Sequence, residues 1–488
     1  MGIARKFTKN FAYQVGTNLA IKLANLFLVV YLTRLLLPAD FGLYSWIISI
    51  ALLADVFADL GAASTMIRFL NNALSRGKKK EAASYFVFSF RLKIIASATV
   101  FALMMLFADV IATAVFHKPV LAMPIRLSAL LMLAYTFTSF FQVFFIAIQR
   151  NEYVFLGNLL QAISKIALMV GLVILLGSFV GAIIGYALAL VLTLILFVGI
   201  FLRNYGFLAF GGGISSEKRL GRFAFFSAIS SFSIVIFANV DILMISALLP
   251  IENVGFYSIA MSWAASIGAL VPMFLLFPVF SELASKPLEH LRNAFSVFFK
   301  YILLLIVPAA FGLAYFSRPL VELLYRSQYA IVVPPILFVL AFLVLFNSLS
   351  SVFMSVFDSL EKPEISAKIF FAGIILDVVL NYFFILRFGV IGAAYATLIS
   401  YFAMCVAFFA LLRPVAGISL KWKPVLVPVA SSALMYLALV LLPSPRSVLI
   451  AAAYLVFGII IYAALVFGFG GTNRKEIEYI VSRIRNRN

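Results

Sequence analysis

The sequence predicts an all-α polytopic membrane protein of about fourteen transmembrane helices, built as two six-helix repeats plus a C-terminal helix pair. Three observations predict it. Hydrophobic residues make up 65% of the 488 positions and charged residues 11%, against roughly 25% charged in a soluble domain; mean hydropathy is +1.14. The apolar residues fall into blocks of about 20, the length that spans a bilayer as a helix, and open sheet edges are not tolerated in hydrocarbon. Finally, Leu36-Leu37-Pro38-Ala39-Asp40-Phe41-Gly42-Leu43-Tyr44-Ser45 recurs as Leu248-Leu249-Pro250-Ile251-Glu252-Asn253-Val254-Gly255-Phe256-Tyr257-Ser258.

Each block is an apolar run, and most are separated by charge or proline. The first, 11–37, follows Arg5, Lys6 and Lys9; it is too long for a signal-peptide core, and no small-residue cleavage site follows it. Pro38 and Asp40 separate it from 41–70, and Arg76 and Lys78 to Lys80 separate that from 84–107. Arg91 and Lys93 interrupt this third block, which either stands as drawn or starts later and runs towards His117. Lys118 precedes 123–148, Arg150 precedes 155–177, and 179–202 ends at Arg203. Lys218, Arg219 and Arg222 lead into 223–249, and Pro250 stands before 255–281. Lys286 and Arg292 precede 297–316, Arg318 and Arg326 precede 333–357, and Lys362 precedes 365–386. Arg387 precedes 389–412; Arg413, Lys421 and Lys423 precede 424–442; Arg446 precedes 447–470.

The basic residues alternate by side. Even-numbered junctions and the two termini carry most of them, whereas odd-numbered junctions hold only Lys118, Arg318, Arg326, Arg387 and Arg446. Basic loops stay in the cytoplasm, so both termini are expected there, in a multi-pass protein of the cytoplasmic membrane. The formal charge of +19 is thereby a topology signal and not a nucleic-acid footprint; part of it suits an anionic membrane surface.

The repeat fixes the domain expectation. Pro38 matches Pro250, Gly42 and Tyr44 match Gly255 and Tyr257, and Val180-Gly181-Ala182 matches Ile391-Gly392-Ala393, all at offsets of 211 to 213 residues. Residues 1–210 form one six-helix lobe and 211–415 its repeat; 416–488 hold the extra pair and a basic cytoplasmic tail. Two related lobes around a central site are a transporter architecture. Both chain ends read as amphipathic interfacial helices, through Ile3, Phe7 and Phe11 and through Ile477, Ile480, Val481 and Ile484.

The loop and helix motifs resemble those of the multidrug/oligosaccharidyl-lipid/polysaccharide exporter superfamily, and within it the polysaccharide-type flippases for lipid-linked oligosaccharides. The resemblance sits in Leu35 to Tyr44, Asp59-Leu60-Gly61-Ala62, Ala147-Ile148-Gln149-Arg150, and Gly181-Ala182-Ile183-Ile184-Gly185-Tyr186-Ala187. It implies two six-helix lobes around a central cavity and an amphiphilic substrate, a polyprenyl phosphate or diphosphate carrying sugars. It also implies membrane lipids and polysaccharide-assembly proteins as partners, and a role for 424–442 and 447–470 as a groove for the lipid tail.

Ionisable residues inside apolar blocks are the site candidates, because each costs roughly 2.5–3.5 kcal/mol at a helix centre. Gln14, Asn18, Lys22 and Asn25 lie on one face of the first helix, and Asn158, Gln161 and Lys165 on one face of the fifth. Both stripes read as cavity lining or as helix–helix contacts. Asp55 and Asp59 lie one turn apart on the second helix; they pair with Lys22 or bind a coupling proton or sodium ion. Asp377, with Gly373 and Asn381, stands at the repeat position of Lys165, so the two charges either face each other or are separately satisfied. Asp241 is the clear embedded acid of the seventh helix. Arg68, Arg91, Lys93 and Arg126 lie near apparent helix ends, where long side chains reach water; Arg68 and Arg126 join Lys22 and Lys165 as candidates for a phosphate. Pro272, Pro278 and Pro308 are candidate bends.

Enzyme chemistry has no visible carrier. There is no Gly-x-x-x-x-Gly-Lys-Ser/Thr loop, and no nucleophile–base–acid set. His117 and His290 are too far apart to suggest a metal site, and Cys405, the one cysteine, permits no internal disulfide. The expectation is a flippase with no cofactor beyond a proton or sodium gradient. A cation-coupled multidrug exporter is the alternative within transport. A polytopic glycosyltransferase or ligase is disfavoured, because no long external loop exists to hold its chemistry.

Overall fold

The computed structural model describes residues 21–210, 217–283, 288–360, 362–412, 414 and 423–471. Among them every regular element is helical and no strand occurs. Helix α1 covers 21–35, α2 Pro38–Asp59, and α3 62–75. Then follow α4 (Lys79–Val115), α5 (Ala122–Ala147), α6 (Asn151–Leu176), α7 (Phe179–Tyr205), α8 (Glu217–Leu248) and α9 (Glu252–Leu283). The chain continues with α10 (Leu288–Leu324), α11 (Val333–Ser359), α12 (Pro363–Phe388), α13 (Val390–Leu411), α14 (Lys423–Val440) and α15 (Val448–Gly468). Among the described residues ten helices are long and apolar enough to cross a membrane, and Val235–Leu248 and Pro424–Val440 are shorter apolar helices. The expected amphipathic ends lie outside the described residues.

Within the described residues each expected block falls on helix, with two corrections. The second block is not one span. Leu60 and Gly61 take left-handed backbone angles, φ 43° and 76°, which stop α2 and let α3 restart at Ala62 with a π turn over Met66–Leu70. A glycine suits this break twice over: it accepts positive φ, and a Cβ there would lie 2.0 Å from the Ala224 carbonyl oxygen. The third block is not shortened by Arg91 and Lys93. Helix α4 runs 37 residues; Arg91 is exposed and Lys93 is buried against acids, so neither charge ends the helix. Helix α9 stays helical through Pro272 and Pro278, and α10 contains Pro308 and Pro319.

The chain divides into two compact units. One takes the chain up to Ile259 together with Ile374–Ala393, and the other takes Ala260–Gly373 together with the chain from Ala394. In the first unit, phenylalanines build a dense core at one end. Phe86, Phe144 and Phe201 meet with ring centroids 4.7 to 5.5 Å apart, joined by Phe140, Phe145 and Phe197. Rings at these separations gain edge and stacking contacts beyond their buried area. Junctions two, four and six gather around this core, through Ala73 and Ala82, Ala147 and Val154, and Leu208. Junctions one, three and seven gather at the opposite end: a Cβ on Gly42 would touch the Ile251 carbonyl, and Lys118 reaches Ser246 and Leu249.

The repeat is visible in helix packing. Gly177 and Gly389 end α6 and α12 in the left-handed region, with φ 61° and 66°. The next helix then crosses closely by its glycines: a Cβ on Gly181 would lie 2.5 Å from the Leu172 carbonyl, and one on Gly392 2.1 Å from that of Phe384. A Cβ on Gly185, one turn on, would lie 2.6 Å from the Met169 Cα. Small residues let membrane helices approach to backbone contact. Gly185→Val should therefore cost about 1–3 kcal/mol by overpacking, read as a lower melting temperature in detergent; an unchanged melting temperature would contradict this packing.

In the second unit, Ser348 on α11 donates to the Gly268 carbonyl of α9 at 3.2 Å. Tyr462 on α15 donates to the Leu304 carbonyl of α10 at 2.8 Å. Phe295, Phe299 and Phe353 stack between α10 and α11.

Candidate functional site

Three arrangements hold the chemistry. The first joins α2, α4 and α5. Lys93 is 2% exposed, and its ammonium donates to Asp59 at 2.8 Å and to Asp55 at 3.4 Å. Thr136 donates its hydroxyl to Asp55. Asp59 sits at the end of α2, and its second oxygen accepts from the Ala63 amide across the break, at 3.4 Å. The expected partner of the two acids was Lys22; the structure makes it Lys93. The helical turn places Lys93 on the inner face of α4, so it lies in mid-helix and not near an end.

The second arrangement joins α1, α6 and α7. Lys165 donates to the Asn25 side-chain oxygen at 3.1 Å, and its ammonium sits 4.1 Å from the centroid of the Tyr186 ring. A desolvated cation over an aromatic face gains about 2 kcal/mol. The two predicted stripes thus meet through Asn25 and Lys165. Lys22 and Gln161 are half-buried on the same two helices, and Asn158 is buried. Gln14 and Asn18 lie outside the described residues.

The third arrangement joins α8, α9 and α12. Asp241 is 3% exposed and Asp377 fully buried. The Asn381 amide donates to both, at 2.8 and 3.2 Å, and the Tyr257 hydroxyl donates to Asp241 at 2.5 Å. The Asn381 side-chain oxygen is itself buried and accepts no hydrogen bond among the described residues. Lys165 and Asp377 are thus held by different neighbours, the first by Asn25 and Tyr186 and the second by Asn381.

The remaining candidates lie elsewhere. Arg68 is exposed on the π turn, with its guanidinium 4.7 Å from the centre of the Phe223 ring. Arg126 is 43% exposed and pairs with Asp109 at 2.6 Å, a contact between the ends of α4 and α5. Thr136, Tyr186 and Tyr257 were not among the site candidates read from the sequence. Tyr257 had a signal, because it is the repeat partner of Tyr44.

Within the second unit, α9, α10, α14 and α15 enclose a cavity of about 710 Å³. Its walls are apolar almost throughout: Leu304, Leu313, Phe316 and Leu320 from α10, Met435 and Leu439 from α14, and Val448, Ala452, Leu455 and Ile459 from α15. Trp263 and Tyr462 also line it; they turn polar atoms to Tyr325 and to the Leu304 carbonyl.

Comparison with known proteins gives a family, two relatives and two similar folds. Residues 7–284 match the family model described as polysaccharide biosynthesis protein. An uncharacterized membrane protein of Methanocaldococcus jannaschii is 32% identical over 143 residues, 29% of this chain and 27% of that protein. The probable low-salt glycan biosynthesis flippase Agl15 of Haloferax volcanii is 26% identical over 193 residues, 38% of this chain and 40% of that protein. The match thus spans less than half the length of either relative. In fold, the chain is similar to lipid II flippase MurJ in its inward closed conformation, with TM-score 0.73 and 16% identity over 94% of this chain and 98% of that one. It is also similar to an inward-facing multidrug resistance MATE family transporter of the MOP superfamily, with TM-score 0.63 and 16% identity over 84% and 94%.

Proposed function

The chain belongs to the polysaccharide biosynthesis protein family, and from that membership we propose that it flips a polyprenyl-phosphate- or diphosphate-linked oligosaccharide across the cytoplasmic membrane. The flip proceeds by alternating access of two lobes, 1–210 and 211–415, and serves cell-surface polysaccharide or glycan assembly. In this reading the protein is a transporter and performs no covalent chemistry. Both termini are cytoplasmic, because basic residues gather at the even junctions.

The observation that carries the reading is the apolar cavity of α9, α10, α14 and α15. A drug-like cation needs convergent polar groups, whereas an isoprenoid tail needs a long dry wall. The phosphate has its own counterpart: Lys165, presented by Asn25 and Tyr186, is a mid-membrane cation with a half-buried Lys22 on the helix beside it. Attraction between such a charge and a phosphate strengthens as the local dielectric falls. The coupling ion, a proton or sodium, belongs at Asp241 and Asp377.

Purified protein in liposomes, given a fluorescent polyprenyl-diphosphate oligosaccharide, tests both contacts in one assay. Ala452→Trp fills the cavity and should slow a long-chain carrier roughly tenfold or more, since each buried methylene is worth about 0.8 kcal/mol, while sparing a short-chain carrier. Lys165→Gln should slow both carriers about tenfold, the worth of one charge-assisted hydrogen bond. Equal rates for the two carriers in the Ala452→Trp protein would sink the tail reading. A cation-coupled multidrug exporter is favoured instead if the same liposomes move a cationic dye and ignore the carrier, an outcome the likeness in fold to a MATE transporter makes worth measuring.

A further inference from the structure

The end of the first unit where junctions one, three and seven meet is closed by a small set of strong contacts between the two repeats. Lys118 belongs to the short junction between α4 and α5. Its ammonium donates to the carbonyls of Ser246 and Leu249, both at 2.6 Å. These are carbonyls at the C-terminal end of α8, which no further helical turn satisfies and where the helix dipole is negative. Trp46, fully buried on α2, donates its indole N–H to the Ser246 hydroxyl at 2.9 Å, and packs edge-on against Phe116 at 5.2 Å. The two copies of the repeated loop then meet directly. A Cβ on Gly42 would lie 2.2 Å from the Ile251 carbonyl, and one on Gly255 3.0 Å from that of Pro38.

We propose that Lys118, with the Trp46–Ser246 bond, is a latch that joins the first repeat to the second at the outer end and must release before the site opens to the outside. Three features make it a latch and not ordinary packing. Its strongest bonds come from one flexible side chain, which lets go without repacking a core. Its target is a helix terminus, so the bonds end with a small displacement of α8. And Lys118 is one of the few basic residues on the side of the membrane where such residues are rare, so retention signalling does not explain its presence. Burial at this contact also holds the Lys118 ammonium below the usual lysine range, with Glu252 nearby opposing the shift. A cation stripped of water in this way bonds more strongly to the carbonyls that remain.

The inference rests on the alternating-access and topology readings above, and its test needs no substrate. Trp46 reports the seam, because Trp263 and Trp422 are the other two tryptophans, and a parent carrying Trp263→Phe and Trp422→Phe, checked first for its melting temperature, leaves Trp46 as the single indole. In that background the protein is placed in right-side-out vesicles, and iodide is added outside. Lys118→Ala should raise the outward-open fraction by about tenfold or more, because two charge-assisted hydrogen bonds are lost, and iodide should quench Trp46 correspondingly more. Lys118→Arg should quench like the parent. Lys118→Met keeps the apolar stem and carries the test if the alanine variant does not fold. Unchanged quenching in a folded Lys118→Met protein overturns the latch, and so does quenching by iodide from the inside only. If the latch responds as expected while no lipid-linked sugar moves in liposomes, the flippase reading fails and the latch stands.

Discussion

Lys93→Met should remove most of the folded protein. Lys93 is the cation between Asp55 and Asp59, at 3.4 and 2.8 Å, and is 2% exposed. Its loss leaves two carboxylates one turn apart inside the membrane, where water does not repay their lost hydration. Removing one partner of a buried pair typically costs about 3–5 kcal/mol, a large share of the roughly 5–15 kcal/mol that holds a domain together. The effect should reach beyond the ion pair, because Asp59 also accepts from the Ala63 amide and so ties α2 to α3 across the break. The measurement is the melting temperature and monodisperse yield in detergent. The triple variant Lys93→Met, Asp55→Asn, Asp59→Asn removes all three charges and should recover most of the loss. Asp55→Asn with Asp59→Asn alone should resemble the single Lys93 variant, since it orphans the lysine instead. A triple variant no more stable than Lys93→Met would show that the three residues do not act as one charge group.

This prediction exposes what the sequence carried and what it did not. The two acids were legible, because charge inside an apolar block is rare and their spacing puts them on one face. Their partner was not. Lys22 and Lys93 both sit in apolar surroundings, and only the rotation of α4 about its axis brings the second one inward. That rotation is set by packing against α2 and α5, which no local pattern records. The break at Leu60–Gly61 was hidden for a related reason: apolar residues continue on both sides of it, and a left-handed pair changes backbone angle without changing composition. Arg126 shows the same limit. It counts as a cation near apolar sequence, yet it pairs with Asp109 at the helix ends.

Glycines were more transparent. The repeated Gly42 and Gly255, and Gly181 with its partner Gly392, were read as markers of duplication and of family; a Cβ on Gly42, Gly181 or Gly392 would collide with a neighbouring backbone, and one on Gly255 would lie 3.0 Å from the Pro38 carbonyl. The cavity of the second unit left no mark in the residue pattern; only the resemblance implied a groove at 424–442 and 447–470. A leucine that faces lipid and a leucine that lines a chamber are the same residue in the same period, and only the packing of α10, α14 and α15 around the chamber distinguishes them.

Asp241→Asn with Asp377→Asn should give the opposite phenotype to Lys93→Met: a protein that folds well and no longer responds to an ion gradient. The two carboxylates are 3% and 0% exposed and share the Asn381 amide. Asparagine has nearly the same shape as aspartate, and its carbonyl accepts the same bonds from Asn381 and Tyr257. Replacing buried charge by a neutral isostere therefore leaves the packing intact and is often neutral or stabilising. Function is another matter. Two carboxylates on one donor repel each other in a low dielectric and favour uptake of a positive charge, and the buried Asn381 oxygen offers a sodium ion a third ligand. If cation uptake here drives the flip, the gradient-dependent rate in liposomes should fall by roughly 5- to 150-fold, the span of a coupling free energy of about 1–3 kcal/mol. The downhill rate without a gradient should change far less. Comparing sodium and proton gradients in the parent identifies the ion, and the double variant should be indifferent to the one that works. A well-folded double variant that keeps its full gradient response would exclude Asp241 and Asp377 from coupling. Because neither the melting temperature nor the ungated flip is expected to move much, that result could not be blamed on misfolding, and it would return the cluster to a role in tying α12 to α8.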